Sequence, residues 1–312
     1  MQDLRDQDES LVTDEPRPAA VALPPATLRS GMERTWARIA PFVPLLRALA
    51  FIVAVGIVVV MSVKAVRAVD FGSLELWPLP IAIAFALAWW VLLARGWALL
   101  VTGTSRRSDI SVWCRTQAIR YLPGGIWAPA SRVTLLPGTL ADKFATVGAE
   151  NVIALCAASA LGGAAFALDG RLEWLPLAIV IAAPVAGARL ITSRSRVSPA
   201  RALHVTWNDT VGFLGYAVAA VLVQTAVSGR TDVFAVAGAA AVGWAAGLVV
   251  IIAPSGLGVR EVVYIALLSG TFSNAEATTA AVTMRLVTVC AELAVLVFLG
   301  RPTAETEHPT AR

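Results

Sequence analysis

Long uncharged and mostly apolar runs, separated by short charged stretches, dominate the pattern of this 312-residue chain. A helix needs about 20 mostly apolar residues to cross the hydrocarbon core of a bilayer. Four runs come close to or exceed that length, with 19, 18, 20 and 27 residues at 76–94, 151–168, 210–229 and 233–259. Shorter runs at 48–63, 174–188 and 286–300 also span if flanking Arg and Lys side chains reach the headgroups. The pattern predicts an all-α, polytopic transmembrane helical bundle of about seven to eight membrane segments.

The composition supports a membrane protein and excludes an ordinary soluble domain. Apolar residues make up 57% of the chain and charged residues 15%, and the mean hydropathy is +0.72. Soluble domains carry roughly 25% charged residues. The first 40 residues differ, because they hold seven acidic side chains and little apolar patterning. We therefore predict a disordered cytoplasmic tail over 1–40, a transmembrane domain over 41–300 and a short polar tail over 301–312.

Basic residues are distributed unevenly between the predicted loops. Cytoplasmic loops of bacterial membrane proteins are enriched in Arg and Lys. The stretches 29–47, 95–143 and 189–201 hold four, seven and four basic residues, respectively. The alternate loops hold only a few basic residues, namely Lys64, Arg67, Arg171 and Arg230. The asymmetry predicts the bacterial cytoplasmic (inner) membrane with the N-terminus in the cytoplasm, and it leaves the side of the C-terminus open.

Two apolar stretches, 120–132 and 253–261, are interrupted by proline and glycine. Proline lacks an amide donor, and such irregular backbone cannot face lipid. Paired interrupted segments in the two halves of a transporter indicate a substrate site near the membrane midplane. We predict one or two re-entrant segments here, whose backbone includes Pro123, Gly124, Gly125, Pro254, Gly256 and Gly258. The alternative is that both stretches are cytoplasmic turns.

An internal repeat is one interpretation of these two stretches. Pro123 and Pro254 are separated by 131 residues, while Cys156 and Cys290, each in a similar apolar sequence, are separated by 134. A duplicated unit of broken segment plus helix fits both offsets.

Ionisable residues within the apolar segments are the candidates for a substrate site. Arg285 and Glu292 are seven residues apart in the last apolar segment and therefore share nearly one helical face. Insertion scales assign a central Arg about 2.5 to 3.5 kcal/mol, so such side chains face the protein interior. One interpretation is an ion pair, of Arg285 with Glu261 or of Glu292 with Arg260. The other is a substrate pathway, and the two are compatible.

The remaining polar residues do not indicate a catalytic or metal-binding site. Asp209 and Glu150 precede apolar runs and are predicted to cap the helices that start there. Cys114, Cys156 and Cys290 lack metal-ligand spacing, which predicts buried and inert thiols. The two histidines are isolated from each other. The sequence therefore predicts no metal site, no cofactor and no catalytic histidine.

The block Pro254-Ser-Gly-Leu-Gly-Val-Arg-Glu261, with Tyr121-Leu-Pro-Gly-Gly125, Arg132 and Arg285-Leu286, resembles the lysylphosphatidylglycerol synthase transmembrane-region family, also called the flippase-like membrane domain. The resemblance extends roughly over 45–300, and the block at 254–261 is its most specific part. Ser255 stands where many members have glycine. The resemblance implies a helical domain that moves or binds a lipid with an anionic head. The synthase activity of such proteins belongs to a separate soluble domain, which we do not expect in this chain.

We therefore expect an integral membrane flippase or transporter for an anionic phospholipid or a polyprenyl-phosphate-linked intermediate. The resemblance places the substrate contacts at Arg132, Arg260, Arg285 and Glu261. Arg132, Arg260 and Arg285 would neutralise the phosphate, and Glu261 and Glu292 are candidates for proton coupling. The chain has no GxxxxGK[ST] phosphate loop, so ATP is not the expected driver.

Two alternatives from other classes stay open. A membrane-embedded, glycosyltransferase-type enzyme on a polyprenyl substrate would need an acidic group at the outer face, where the carboxylates are scattered. A noncatalytic partner of a cell-envelope enzyme, or a homo-oligomer, is compatible with the same pattern. No nucleic-acid partner is expected.

Overall fold

Four long apolar helices form the main part of the structure, which is a computed structural model that describes residues 75–117, 127–136, 139–184, 186, 198–250 and 254–301. They are α1 (Pro78–Thr102), α4 (Leu140–Leu168), α6 (Pro199–Ser228) and α9 (Asn274–Leu299). With 25 to 30 residues each, they measure about 38 to 45 Å at 1.5 Å per residue. Each is therefore long and apolar enough to cross a membrane.

Shorter helices connect and complement these four. They are α2 (Arg107–Gln117), α3 (Trp127–Leu135), α5 (Leu175–Ile179), α7 (Val233–Val249) and α8 (Val259–Leu268). Single 3₁₀ turns occur at Leu172–Trp174, Val180–Ala182 and Pro254–Gly256. Among the described residues every named element is a helix, so the all-α prediction is confirmed. The number of seven to eight membrane segments stays a prediction.

Several predictions fall on other parts of the chain. The tail at 1–40, the run at 48–63, the residues Pro123, Gly124 and Gly125, and all but the first residue of the C-terminal tail lie outside the described residues. The proposed repeat also depends on them.

Two long helices begin earlier than their apolar runs. Ser198 caps α6 by accepting a hydrogen bond from the backbone N–H of Arg201, and Thr139 and Asp142 form a reciprocal capping box at the start of α4. The predicted caps Asp209 and Glu150 are therefore wrong. Each lies ten residues inside its helix, counted from Pro199 and from Leu140.

Contacts between helix ends define the two ends of the bundle. The ion pair of Arg230 with Glu276, 3.3 Å, joins the end of α6 to the start of α9. The Arg171 guanidinium donates to the Leu267 carbonyl at 3.3 Å, which places the end of α8 beside the turn after α4. We call this the Arg230 end. The start of α1 belongs to it as well, because the Glu75 N–H donates to the Ala226 carbonyl.

The opposite end, which we call the Arg107 end, holds the end of the last helix. Arg107 donates to the Phe298 carbonyl at 3.3 Å, and the Ser111 hydroxyl donates to the Arg301 carbonyl at 3.0 Å. The last described residues therefore lie beside α2. The sequence leaves the side of the C-terminus open, and these contacts place Arg301, the last described residue, at the same end as α2.

Small residues allow close packing in the interior. A Cβ atom at Gly238 would lie 2.8 Å from the Phe166 ring, and one at Gly162 would lie 2.6 Å from a Val242 methyl group. Helices α4 and α7 thus approach closely, as expected where packing rather than water exclusion joins membrane helices.

Large apolar side chains also cover the outer surface of the long helices. Leu203, Trp207 and Phe298 are 56%, 69% and 68% exposed, as suits a lipid-facing surface. Cys290 is exposed on α9, so the prediction of a buried thiol is wrong there, while it is confirmed for Cys114 and Cys156.

Candidate functional site

The chain between α7 and α8 is irregular, as its prolines and glycines predict. Ser255, Gly256 and Gly258 all have positive φ angles, of 55°, 66° and 83°. Such backbone favours glycine, and Ser255 is the described exception. Helix α8 has ten residues, about 15 Å, and its far end lies at the Arg230 end. The irregular segment at 254–258 therefore lies well inside the bundle, although a re-entrant path through a membrane stays a prediction.

Glycines surround the Arg260 side chain. A Cβ atom at Gly247 would lie 2.4 Å from Arg260 Cγ, and one at Gly256 would lie 2.8 Å from Arg260 Nε. The guanidinium carbon lies 5.2 Å from the centroid of the Trp244 ring, within cation–π range. The two glycines thus provide the space in which this arginine side chain reaches from the start of α8 to α7.

Arg132 on α3 is the most thoroughly buried of the predicted arginines, at 3% exposure. Its Nη1 donates to both carboxylate oxygens of Glu150, and its Nε donates to the Thr116 hydroxyl at 3.2 Å. The guanidinium also lies 5.3 Å from the Trp97 ring and 5.5 Å from the Trp113 ring. Helices α1, α2 and α4 therefore all hold this one side chain.

A cavity of about 390 Å³ brings Arg132 and Arg260 together. Among the described residues, its other charged lining residues are Glu150 and Asp209, and Ser255 contributes a hydroxyl. Most of the remaining wall is aromatic or aliphatic and includes Trp90, Trp113, Trp244, Leu93, Leu155 and Leu248. The arrangement suits a molecule with a charged part and an apolar part.

A second, smaller cavity of about 30 Å³ lies next to it and is lined by Arg260, Glu261 and Arg285. Arg285 Nη2 donates to the Ser255 hydroxyl at 3.3 Å. Glu261 is 5% exposed and accepts the backbone N–H of Gly258 at 2.8 Å, so it caps α8. The predicted ion pair of Arg285 with Glu261 is therefore wrong. Glu292 is buried on α9 and lines neither of these two cavities.

The larger cavity lies nearer the Arg107 end. Glu150 precedes the end of α4 by 18 residues and Asp209 precedes the end of α6 by 19 residues, which correspond to about 27 and 28 Å. Gly247 is 14 residues into α7, or about 21 Å from the Arg230 end. These depths all exceed half of the roughly 30 Å hydrocarbon core.

Sequence reasoning missed the two acidic residues of this cavity. Glu150 and Asp209 stand directly before apolar runs and so had the appearance of caps. The pairs Ser198-Pro199 and Thr139 with Asp142 were available signals for earlier helix starts. With those starts, both carboxylates would have fallen inside membrane helices.

No protein-family model matches the chain, and neither a curated protein nor a solved structure matches it. The resemblance to the flippase-like family therefore stays a prediction from the quoted motifs. Within the described ranges, no group of three or more His, Cys, Asp or Glu side chains is arranged to hold a metal ion.

Proposed function

We propose that this protein binds the head of an anionic membrane lipid in the larger cavity and moves the lipid between the two leaflets. The observation that carries the proposal is the convergence of Arg132 and Arg260, from distant parts of the chain, on one cavity with mostly apolar walls. Guanidinium groups match the geometry of phosphate oxygens, and apolar walls suit acyl or prenyl chains.

Arg285 extends this basic region. It lines the smaller cavity together with Arg260, and it bonds Ser255, which lines the larger one. Gly256 and Ser255 carry the positive φ angles that bring the irregular backbone to the same place. A head bound near Arg260 would therefore meet both arginines and the segment between α7 and α8.

The predicted orientation places this site in the cytoplasmic half of the membrane. The Arg107 end is the one rich in basic residues, and the cavity lies nearer to it. A lipid would therefore enter from, or leave to, the inner leaflet.

The test reconstitutes the full chain in phosphatidylcholine vesicles that carry traces of fluorescently labelled phosphatidylglycerol, with dithionite added outside. We expect the protein to move labelled lipid from the inner to the outer leaflet, where dithionite reduces the label. Arg260→Gln and Arg285→Gln should each slow this translocation about tenfold or more, since a lost charged hydrogen bond is worth about 1.5 to 3 kcal/mol. Arg230→Gln is the matched control, because Arg230 lies in an exposed pair outside both cavities. Unchanged rates in folded Arg260→Gln and Arg285→Gln would rule out the proposal.

The enzyme alternative has less support among the described residues. Near the Arg230 end, Asp169 pairs with Arg171, Asp232 caps α7, and Glu276 caps α9 and pairs with Arg230. A metal-dependent transfer reaction on a polyprenyl substrate would restore that alternative.

A further inference from the structure

Among the described residues, four charged side chains line the larger cavity, two basic and two acidic: Arg132, Arg260, Glu150 and Asp209. Their formal charges sum to zero when all four are ionised. Arg285 and Glu261 of the smaller cavity add one charge of each sign and leave that sum unchanged. An anionic lipid head would then enter a site without net attraction for it. The charge state of the two acids therefore decides whether the cavity favours an anion.

The two carboxylates differ in their partners. Glu150 receives both contacts from Arg132 and a third hydrogen bond from the Trp113 indole at 2.7 Å. Asp209 is 3% exposed and accepts one hydrogen bond, at 3.2 Å, from the neutral amide of Asn208. Among the described residues no basic side chain pairs with it.

The helices packed against α6 bring no cation to Asp209 either. Helix α7 has no charged residue within Val233–Val249. The one charged residue of α1, Arg95, is exposed, and on α6 itself His204 is exposed and Arg201 reaches the Leu100 carbonyl near the Arg107 end. On α4 the nearest charge in the cavity is Glu150, while Asp142 and Lys143 lie at the helix start. On α9, Glu292 is acidic, Glu276 pairs with Arg230, and Arg285 bonds Ser255.

An ionised carboxylate in such a place is costly. Burial without a cationic partner favours the neutral, protonated form, and a second carboxylate in the same cavity adds repulsion. With Asp209 protonated, the lining carries one net positive charge. That charge matches the single negative charge of a phosphodiester head.

We propose that Asp209 is the proton-binding group of this cavity and that it holds a proton while a singly charged phosphodiester head is bound. The inference rests on the proposed function. The proton comes from water onto a carboxylate oxygen and returns to water when the head leaves, and no other bond forms or breaks. Ionised Asp209 cancels the net charge and repels the phosphate, so lipid and proton bind together and leave together.

Gly96 on α1 keeps room for this carboxyl group. A Cβ atom there would lie 2.4 Å from Asp209 Oδ1 and 3.2 Å from Asn208 Nδ2. Asn208 is itself held by donating to the Leu92 carbonyl. The carboxyl group and its one neutral donor are thus positioned together against α1.

The experiment measures binding of short-chain phosphatidylglycerol to the purified full chain between pH 5 and 9, with phosphatidylcholine of the same chain length as the uncharged comparison. Trp90, Trp113 and Trp244 line the cavity, so tryptophan fluorescence reports occupancy. We expect phosphatidylglycerol affinity to be highest at low pH and to fall about tenfold per pH unit once Asp209 ionises in the lipid-free protein, the slope for one linked proton.

Asp209→Asn should abolish this slope and bind phosphatidylglycerol at pH 8 as tightly as the unmodified chain binds it at low pH. Asp169→Asn is the matched control, because it removes a carboxylate that lies outside the cavity and pairs with Arg171, and it should keep the original profile. The same pH slope in Asp209→Asn would overturn the inference and leave the proposed function intact. Equal affinity for phosphatidylglycerol and phosphatidylcholine at every pH would instead overturn the proposed function.

A second measurement needs no variant. Phosphatidylglycerol added to the unmodified chain in weakly buffered solution, above the pH at which Asp209 ionises, should remove about one proton from solution per lipid bound. A pH indicator records this uptake. Binding without proton uptake would contradict the inference even if Asp209→Asn does not fold.

Discussion

At the scale of single residues, the contacts of Arg132 and Glu150 bind three parts of the chain together. Arg132 donates to both oxygens of Glu150 and to Thr116, and Trp113 donates to Glu150 as well. The side chains of this pair are only 4% and 12% exposed. Each member therefore depends on the other, because burial makes an unpaired charge at either position costly.

Removing one member should cost far more stability than removing both. Arg132→Gln leaves the Glu150 carboxylate buried, and we expect it to lower the free energy of unfolding by about 3 to 5 kcal/mol. The double variant Arg132→Gln with Glu150→Gln should recover most of that loss. Denaturant titration of the detergent-solubilised protein measures the free energy of unfolding of both variants. Arg230→Gln, in an exposed pair, is the control and should change this free energy by less than about 1 kcal/mol. Equal stability of Arg132→Gln and the unmodified chain would contradict the importance of the pair.

Cys114 should be unreactive in the folded protein. Burial raises the pKa of its thiol to about 12, so at pH 8 only about 10⁻⁴ of it is thiolate, the reactive form. The reactive fraction becomes large only as the pH approaches that pKa. Maleimide treatment at pH 8 followed by peptide mass analysis should find Cys114 unmodified before denaturation and modified after it. The exposed variant Ser105→Cys is the control that should react under both conditions.

At the scale of elements, the contact between α7 and the segment before α8 depends on two glycines, which have no side chain. Gly247 on α7 contacts the aliphatic part of Arg260, and Gly256 contacts the Gly247 backbone. No larger residue fits at either position without moving Arg260 or the helix. The position of Arg260 in the cavity is therefore fixed by packing as much as by charge.

Gly247→Ala should displace Arg260 and destabilise the protein by about 1 to 3 kcal/mol, the usual cost of overpacking. Lipid translocation should fall together with stability. Gly148→Ala on α4 is a matched control, since nothing lies within 4 Å of its added methyl group. It should stabilise the helix by about 0.5 to 1 kcal/mol. The two midpoints of thermal unfolding should thus shift in opposite directions, and a parallel shift would contradict the packing argument.

Hydropathy located the helices better than it located their ends. The apolar runs after Glu150 and Asp209 lie within α4 and α6, but each helix begins eleven residues before its run, at Leu140 and Pro199. The start of a helix is set by capping chemistry and not by apolarity. For that reason the sequence predicts Arg132 and Arg260 as substrate contacts but assigns their two acidic neighbours to helix ends.

At the scale of the whole molecule, the contacts of α9 with α2 show at which end of the bundle the last described helix ends. Arg107 and Ser111 bond the last carbonyls of that helix, at the end of the bundle rich in arginine. The sequence could not assign this end, because the short C-terminal tail has no clear excess of basic over acidic residues. The contacts between α9 and α2 therefore make the assignment that the charge count does not.

We expect the two ends of the bundle to lie on opposite sides of the membrane, with the Arg107 end in the cytoplasm. With the Arg107 end in the cytoplasm, a C-terminal green fluorescent protein fusion should fluoresce and a C-terminal alkaline phosphatase fusion should be inactive. A membrane-impermeant maleimide added to intact cells should label Thr231→Cys, in the loop at the Arg230 end, and should not label Ser105→Cys. The reverse labelling pattern would invert the orientation and place the cavity in the outer half of the membrane.

The shortness of α8 has a consequence for how the protein is made. A ten-residue helix of about 15 Å is too short to leave the translocon for lipid by itself, and it brings Arg260 with it. Helix α8 should therefore remain in the translocon until α9 has been synthesised and can pack against it. Ribosome-bound chains that end before Asn274, extended by a linker long enough to clear the ribosomal exit tunnel, should therefore leave α8 open to protease, whereas chains that include Leu299 and the same linker should protect it. Equal protection at both lengths would mean that α8 inserts alone.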